Sequence, residues 1–413
     1  MEHMALYRKY RPKTFDDVYG QDAIVQTLRN QIKSDRICHA YLFSGLRGSG
    51  KTSIARIFAK AVNCEHPVDG NPCYQCSHCN YQNDVNPDII EIDAASNNGV
   101  DSIRQLIDEV HYKPTNTKYK IYIIDEVHML SGSAFNALLK TIEEPPKHAI
   151  FILATTELYK VPMTIRSRCQ LFTFKSIVLN VIKSRLIYIA NQENINYFDE
   201  QSFEFMAEKA DGSMRDAVNI LDQAIASHQI AVDVMSKVEK EPLIPFEQLL
   251  DLFGEIDNKV IISFAEAIEK SDVKKCIDLL HEQHANGKDL KCILDRLYKY
   301  YFEKYTSDFG TDNSIIFERY AKILGETIAS IERSSNKMTI TEIALIKICK
   351  PEMEVDYNSV IQRMRNLERE LQMLKSGNIV VEQEEKQEVF DENDIIYYNN
   401  ICNHTIIITE EGN

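Results

Sequence analysis

A chain of 413 residues with a net charge of −15 and 10 cysteines is long enough for two to four domains with a well-buried core. It has no run of about 18 apolar residues and opens on a polar stretch, which argues against a membrane span and a signal peptide. The expectation is a cytosolic protein whose cysteines are metal ligands or ordinary buried thiols, not a disulfide framework. The acidity is concentrated: residues 351–413 carry 14 acidic and 5 basic side chains, leaving −6 for the first 350 positions. A local basic surface facing a nucleic acid is therefore not excluded.

Residues 7–21 crowd Arg8, Lys9, Arg11 and Lys13 ahead of a helix that starts near Asp22. Such a run is ordinarily a solvated arm. Placed before a phosphate-binding loop, with Pro12 favouring extended backbone, it is also able to lie across a nucleotide base. Residues 40–44 read as a short buried strand and 53–61 as a helix, with Gly45-Leu46-Arg47-Gly48-Ser49-Gly50-Lys51-Thr52 between them. Glycines at this G-x-x-x-x-G-K-T spacing let the backbone curl its N–H groups around phosphate oxygens. Lys51 then neutralises the β- and γ-phosphates and Thr52 holds Mg²⁺, with the following helix aimed at the anion.

Next comes Cys64-x₈-Cys73-x₂-Cys76-x₂-Cys79, inserted before a second strand at 88–92. Four thiolates in a loop rich in Pro, Asn and Asp suit tetrahedral Zn²⁺ with no position open for catalysis, a structural zinc knuckle; His66 and His78 are weaker candidates to replace one cysteine. Residues 99–110 read as a helix with Val100, Ile103, Leu106, Ile107 and Val110 on its apolar stripe. Arg104 lies off that stripe, solvated or in contact with a phosphate backbone.

The third strand, 119–124, is nearly all apolar, as a parallel strand covered on both faces requires, and ends in Asp125-Glu126-Val127-His128. Carboxylates at that end sit where α/β sheets bind ligands: Asp125 for Mg²⁺ and Glu126 for the attacking water. A helix over 131–144 is stopped by Pro145-Pro146. The fourth strand, 149–154, leads to Thr155-Thr156-Glu157, where a hydroxyl fixes the water, senses the γ-phosphate or caps backbone. Thr164-Ile165-Arg166-Ser167-Arg168-Cys169 opens the fifth strand, 170–174. Beyond it the pattern is helical at 179–192, 199–210 and 213–226, and again from 242 to about 349. Tyr357, Val360, Met364, Leu367, Leu371 and Leu374 then alternate steps of three and four, a seam of under three heptads that suits a short docking helix. Residues 382–394 are acidic and expected to be disordered.

Tyr10-Arg11-Pro12, the Gly-Leu-Arg-Gly-Ser-Gly-Lys-Thr-Ser loop, the four-cysteine insert, Asp125-Glu126-Val127-His128-Met129-Leu130, Phe135-Asn136-Ala137-Leu138-Leu139-Lys140-Thr141-Ile142-Glu143-Glu144-Pro145-Pro146 and Ser167-Arg168-Cys169 together resemble the gamma/tau subunits of bacterial DNA polymerase III. Those are AAA+ ATPases of the sliding-clamp loader. The resemblance is strong from about residue 5 to 226 and weak onward.

It implies an α/β fold with four parts: an AAA+ core over 1–177 with a parallel sheet and the zinc insert at 64–79, a helical lid over 178–240, an all-α oligomerisation collar over 241–350, and a tail over 351–413. It implies an adenine pocket at Tyr7, Arg11, Pro12 and Val18, phosphate contacts along Gly45 to Ser53, and Thr156 at the sensor-1 position. Arg215 matches the sensor-2 arginine of the lid, and Arg168 an arginine finger acting on ATP in the neighbouring subunit. The cofactors are then ATP, Mg²⁺ and Zn²⁺. The partners are delta- and delta-prime-type loader subunits, copies of the same chain, the beta clamp and primed DNA, in the cytoplasmic, nucleoid-associated replisome. The expectation is a short, gamma-like form or a shortened chain, with polymerase and replicative-helicase contacts only where a longer tail exists, and with the three residues before Met4 an alternative start or an expression remnant. Such a chain works within the DNA polymerase III holoenzyme as an ATPase with no polymerase site of its own. Two rivals are a DExH-type helicase, which needs a second motor domain, and a scaffold that binds ATP without hydrolysis, which intact Lys51, Thr52, Asp125 and Glu126 argue against.

Overall fold

The computed structural model describes residues 4–80, 86–234, 246–353 and 357–375. The chain divides into two compact units, with the boundary between Asp257 and Asn258. The first unit runs α1 (Leu6–Lys9), α2 (Asp22–Lys33), β1 (Ala40–Gly45), α3 (Lys51–Val62), β2 (Ile89–Asp93), α4 (Val100–Val110), β3 (Lys120–Asp125), α5 (Gly132–Glu143), β4 (Ala149–Thr155), α6 (Met163–Arg166) and β5 (Gln170–Phe174). It continues with α7 (Leu179–Gln192), α8 (Glu200–Lys209), α9 (Met214–Val234) and α10 (Phe246–Leu252).

The five strands are all parallel in the order β2-β3-β4-β1-β5. In the central strands β1, β3 and β4 the side chains alternate between two covered faces, which is why these strands read as apolar runs, while the edge strands β2 and β5 leave Glu91, Leu171 and Thr173 exposed. Tyr41, Phe43, Ile121, Ile123, Ile150, Ile152 and Phe172 join Leu28 of α2 and Ile54 and Phe58 of α3 on one face. Leu42, Tyr122, Ile124, Phe151 and Leu153 join Ile103 and Leu106 of α4 and Leu138 and Ile142 of α5 on the other. Because β1 lies between β4 and β5 while β3 lies beyond β4, the chain reverses direction across the sheet beside β1. The crevice outside the strand ends at that reversal is where such sheets take ligands.

A third apolar cluster holds α7, α8 and α9 together, with Ile182, Leu186, Ile189, Met206 and Leu221 at its centre. Two features differ from the sequence reading. The basic arm is not extended throughout: Leu6 to Lys9 form a short helix, because Leu6, Tyr7 and Tyr10 find apolar partners in the α7–α9 cluster. At the other end, α10 belongs to the same cluster through Leu249 and Phe246, so the bundle extends past the expected lid boundary at 240, itself outside the described residues.

The second unit is helical: α11 (Asn258–Glu269), α12 (Val273–Ala285), α13 (Leu290–Ser307), α14 (Asp312–Ile331), α15 (Lys337–Cys349) and α16 (Tyr357–Lys375). Its interior is built from Phe264, Leu280, Leu294, Leu297, Tyr301, Leu324 and Leu345. Helix α16 buries Ser359 and Gln362 and turns Tyr357, Val360, Met364, Leu367 and Leu371 of the heptad seam outward. Among the described residues no helix is long and apolar enough to cross a membrane. The acidic stretch 382–394 lies outside the described residues.

Candidate nucleotide and metal sites

The loop between β1 and α3 carries the expected curl. Gly50 has φ +102°, and a Cβ there would project into open space, so glycine is required by backbone conformation and not by crowding. No side chain caps the N-terminus of α3, whose first-turn N–H groups have no partner within the helix. Lys51 is buried, and its Nζ donates to the carbonyls of Gly45 at 2.9 Å and Leu46 at 3.0 Å. Burial depresses its ammonium below the ordinary lysine range while Glu126 and Asp125 pull the other way. The Thr52 hydroxyl donates to Asp125 Oδ2 at 2.7 Å, joining the start of α3 to the end of β3. A hydroxyl beside a carboxylate is a hard oxygen pair of the kind Mg²⁺ takes. An uncapped helix start, a buried cation and that pair converging on one loop fit a magnesium-bound polyphosphate.

Glu126 follows Asp125 in the left-handed region, φ +47° and ψ +45°. Its Oε2 accepts from the Thr156 backbone N–H at 3.3 Å and the Thr156 hydroxyl at 3.0 Å. Thr155 Oγ1 accepts the Glu157 N–H at 3.0 Å, a local cap, while Thr156 turns toward the carboxylate.

The arm and the bundle both reach the loop. Arg11 Nε donates to Ser53 Oγ at 3.2 Å, and burial followed by the nearness of Arg56 holds its guanidinium below the usual arginine range. Arg215, in the first turn of α9, lies over the Tyr7 ring with 5.2 Å to the centroid. Gly48, with φ +77°, is pressed against the turn before α9, so that a Cβ would fall 1.9 Å from Ser213 Oγ. Val18 and Pro12 are half-buried, Val18 against the sheet core. Arg47 and Leu46 are exposed.

Arg168 sits elsewhere. Its Nη2 pairs with Glu143 at 2.7 Å and its Nη1 donates to the Thr164 carbonyl at 2.8 Å. Among the described residues none of its hydrogen bonds or ion pairs reaches the phosphate loop. Arg104 is exposed and stands 3.5 Å from Asp101.

The Sγ atoms of Cys64, Cys73, Cys76 and Cys79 lie within 4.8 Å of one another. The separations are 3.9 Å for Cys64 and Cys76, 3.5 Å for Cys73 and Cys79, and 3.3 Å for Cys76 and Cys79. A tetrahedral ion with metal–sulfur bonds of about 2.3 Å requires edges of about 3.8 Å, so the cluster has the right size. Backbone N–H groups also point at sulfur, from Tyr74 to Cys79 at 3.1 Å and from Cys76 to Cys73 at 3.4 Å. Burial opposes the Cys73 thiolate, yet donors from Gln75 and Cys76 bring it down to about 6. His78 stands instead 3.4 Å from Glu65.

Three participants were not singled out from sequence. His128 was read as a motif letter, but its ring is buried and 3.0 Å from Thr155 Oγ1. Arg56, one helical turn past Thr52, makes a two-pronged bond to Glu91 with both contacts at 2.6 Å; its i+4 spacing from Thr52 was the available signal. Asp88 is buried and accepts from the N–H groups of Thr115, Asn116 and Thr117 at 2.7, 3.0 and 3.2 Å, a contact that no local pattern marks.

Residues 20–178 match the family described as DNA polymerase III, delta subunit, and residues 181–229 match the DNA polymerase III clamp loader subunit, ATPase lid domain. The chain is 41% identical to the DNA polymerase III subunit tau of Bacillus subtilis, over 92% of this chain and 70% of that protein. It is 41% identical to subunit tau of Escherichia coli over 71% of this chain and 44% of that protein, so it spans less than half of that relative's length. It is 39% identical to subunit gamma of Buchnera aphidicola subsp. Acyrthosiphon pisum, over 74% of this chain and 82% of that protein. Among solved structures, the Thermotoga maritima RuvB Holliday junction branch migration motor is similar over 63% of this chain at 16% identity, with a TM-score of 0.44. On the extent and identity of the gamma and tau matches, this chain belongs to the DNA polymerase III gamma/tau subunit family.

Proposed function

We propose that this chain is an ATPase subunit of a clamp loader, in which ATP binding tightens adjacent subunits into an assembly that holds a sliding clamp open and ATP hydrolysis releases the clamp onto primed DNA. The observation that carries the reading is the bond from Thr52 to Asp125 at 2.7 Å, beside the buried Lys51. Bound ATP with its magnesium ion supplies the phosphoryl group that is transferred to water. Backbone N–H groups from Gly45 to Ser53 cradle the phosphates, and Lys51 leaves its two carbonyl partners to neutralise them. Thr52 and Asp125 hold the metal, Glu126 polarises the attacking water, and the Thr156 hydroxyl senses the γ-phosphate. Tyr7, Arg11, Pro12 and Val18 border the base. Arg215 reaches the γ-phosphate from the lid, which ties lid position to nucleotide. Arg168, held at the surface by Glu143, serves the site of an adjacent subunit, so turnover depends on assembly. The four cysteines hold a structural zinc ion.

The partners in this reading are the other loader subunits, further copies of this chain, the clamp and primed DNA held through its phosphates. The test is steady-state ATP hydrolysis by the chain alone and with clamp, primed DNA and the remaining loader subunits. Strong stimulation by the complete mixture alone supports it. High activity on bare duplex with strand separation and no need for a clamp replaces it with a helicase, and no turnover in any mixture leaves a binding scaffold.

A further inference from the structure

One buried side chain at the strand ends has no part in the scheme above. His128 lies in the turn Val127–Met129 directly after β3, with its side chain 7% exposed. Nδ1 stands 3.0 Å from Thr155 Oγ1 and 3.4 Å from Glu126 Oε2, and Nε2 stands 3.5 Å from Glu157 Oε1. The ring thus bridges the end of β3, which carries Glu126, and the end of β4, which carries Thr155, Thr156 and Glu157. Its own position is fixed from the β4 side. Thr155 Oγ1 is held by the Glu157 N–H at 3.0 Å, and the Glu157 carboxylate is tied to Lys160 at 2.7 Å and to the Tyr159 hydroxyl.

Glu126 meanwhile has a divided attachment. The same oxygen, Oε2, takes both Thr156 bonds and faces His128 Nδ1. A hydroxyl has one proton to give. When Thr156 donates it to a phosphate oxygen, Glu126 keeps only the longer bond from the Thr156 N–H at 3.3 Å, and a second donor is needed to hold its orientation. The residue's left-handed backbone, φ +47°, is the kind of conformation kept where neighbouring contacts fix it.

We propose that His128 is a positioning residue for Glu126. Thr156 anchors the carboxylate in the arrangement seen here, and the imidazole, turning its single Nδ1–H from Thr155 Oγ1 to the carboxylate, anchors it once the Thr156 hydroxyl turns to phosphate. The carboxylate passes from one donor to the other and keeps its aim at the attacking water. This inference rests on the ATPase reading above.

The experiment measures kcat and KM for ATP in the complete loader mixture, with a fluorescent ATP analogue giving affinity apart from turnover, for the parent, His128→Phe and His128→Asn. His128→Phe keeps the ring's bulk and removes both nitrogens. Its kcat falls about tenfold, a fraction of what a general base contributes, while KM and analogue affinity stay within about twofold. His128→Asn, whose amide can donate from the place of Nδ1, recovers most of the loss. Should His128→Phe not fold, Thr155→Val, which removes the hydroxyl that fixes the ring, gives a smaller fall with the same split between kcat and KM. The proposal is overturned by a kcat within about twofold of the parent, by turnover and affinity falling together, or by His128→Asn being as slow as His128→Phe. A parent that does not hydrolyse ATP in the complete mixture overturns the ATPase reading instead, and that control is read first.

Discussion

Gly48 stands at an unspecified position of the phosphate-loop motif, yet the structure makes it a contact point between loop and lid. With φ +77°, a Cβ there would lie 1.9 Å from Ser213 Oγ, 3.1 Å from Ser213 Cβ and 3.2 Å from Arg215 Cβ. Gly48→Ala therefore has three costs. The left-handed backbone costs an alanine about 1 kcal/mol. Ser213 Oγ must rotate away, giving up its bond to the Asp216 N–H at 3.2 Å, a helix cap worth about 1 kcal/mol. Residual crowding against the two Cβ atoms adds about 1 kcal/mol. The last two act between loop and lid, and about 2 kcal/mol shifts the docked lid by about thirtyfold relative to the undocked one. If Arg215 must dock to reach nucleotide, affinity for an ATP analogue falls by a similar factor. The control is Ser213→Gly, which removes the two nearest atoms, leaves only Arg215 Cβ, and costs a few tenths of a kcal/mol as a cap. Gly48→Ala should then be much milder in the Ser213→Gly background than in the parent. A double-mutant cycle on thermal unfolding and analogue affinity reads the coupling. Strictly additive effects, or Gly48→Ala binding the analogue as well as the parent, would refute the loop–lid contact.

Glu126→Gln preserves a carbonyl to accept from Thr156 and so should fold and bind nucleotide normally while turnover falls about a hundredfold or more; unchanged turnover in a steady-state assay would remove Glu126 from the chemistry. Arg168→Ala should bind ATP as the parent does and lose about a thousandfold in stimulated hydrolysis within the assembly. Loss of its exposed pair with Glu143 should change the melting temperature little. Metal analysis of the purified chain should return about one zinc per chain, and Cys79→Ser or prolonged chelation should lower the melting temperature without altering helical content elsewhere. For Asp88, burial works against the carboxylate but the donors of residues 115–117 hold its folded pKa below the ordinary value. Its contribution is therefore present above the unfolded carboxylate range and is lost as pH falls through the folded pKa. Asp88→Ala should cost about 3 kcal/mol near neutrality, and the gap to the parent should close on acid titration followed by denaturant melts.

The order of strands and helices in the first unit was legible because two kinds of signal agreed. The central strands β1, β3 and β4, buried on both faces, have no polar alternation to confuse with helix, and β3 and β4 lead directly into polar residues at Glu126 and Thr156. The cysteine cluster could likewise be read largely from local spacing, since Cys73, Cys76 and Cys79 stand three apart, with Cys64 nine positions before them. What escaped was non-local. Nothing near Leu6 or Tyr10 in sequence announces that their apolar partners lie in the α7–α9 cluster, so the arm reads as extended when part of it is helical. Asp88 reads as the start of a strand, and its three donors are about 27 to 29 positions away. His128 differs in kind: the motif named it, but its meaning depends on Thr155 and Glu157 across the strand ends, and a strand register places them there only after folding.

The same non-local contacts bear on how ATP could change this molecule. Each polar group assigned to nucleotide already has a protein partner: Lys51 its own loop carbonyls, Thr52 Asp125, Glu126 Thr156, Arg215 the Tyr7 ring. A ligand that takes these groups gains the difference between two sets of interactions and not their full strength. The remainder appears as rearrangement at the places where the displaced partners sit. Tyr7 belongs to α1, which packs with the lid cluster, and Thr156 directly follows β4. Taking Arg215 from Tyr7 therefore perturbs the arm and lid together, and taking Thr156 from Glu126 perturbs the ends of β3 and β4. A ligand with full access to Lys51 but no γ-phosphate leaves both exchanges undone, since Arg215 and Thr156 are each assigned to that phosphate. ADP and ATP should accordingly differ less in affinity than in lid position. A distance probe between α2 and α8 that reports the same value for both nucleotides would contradict this coupling.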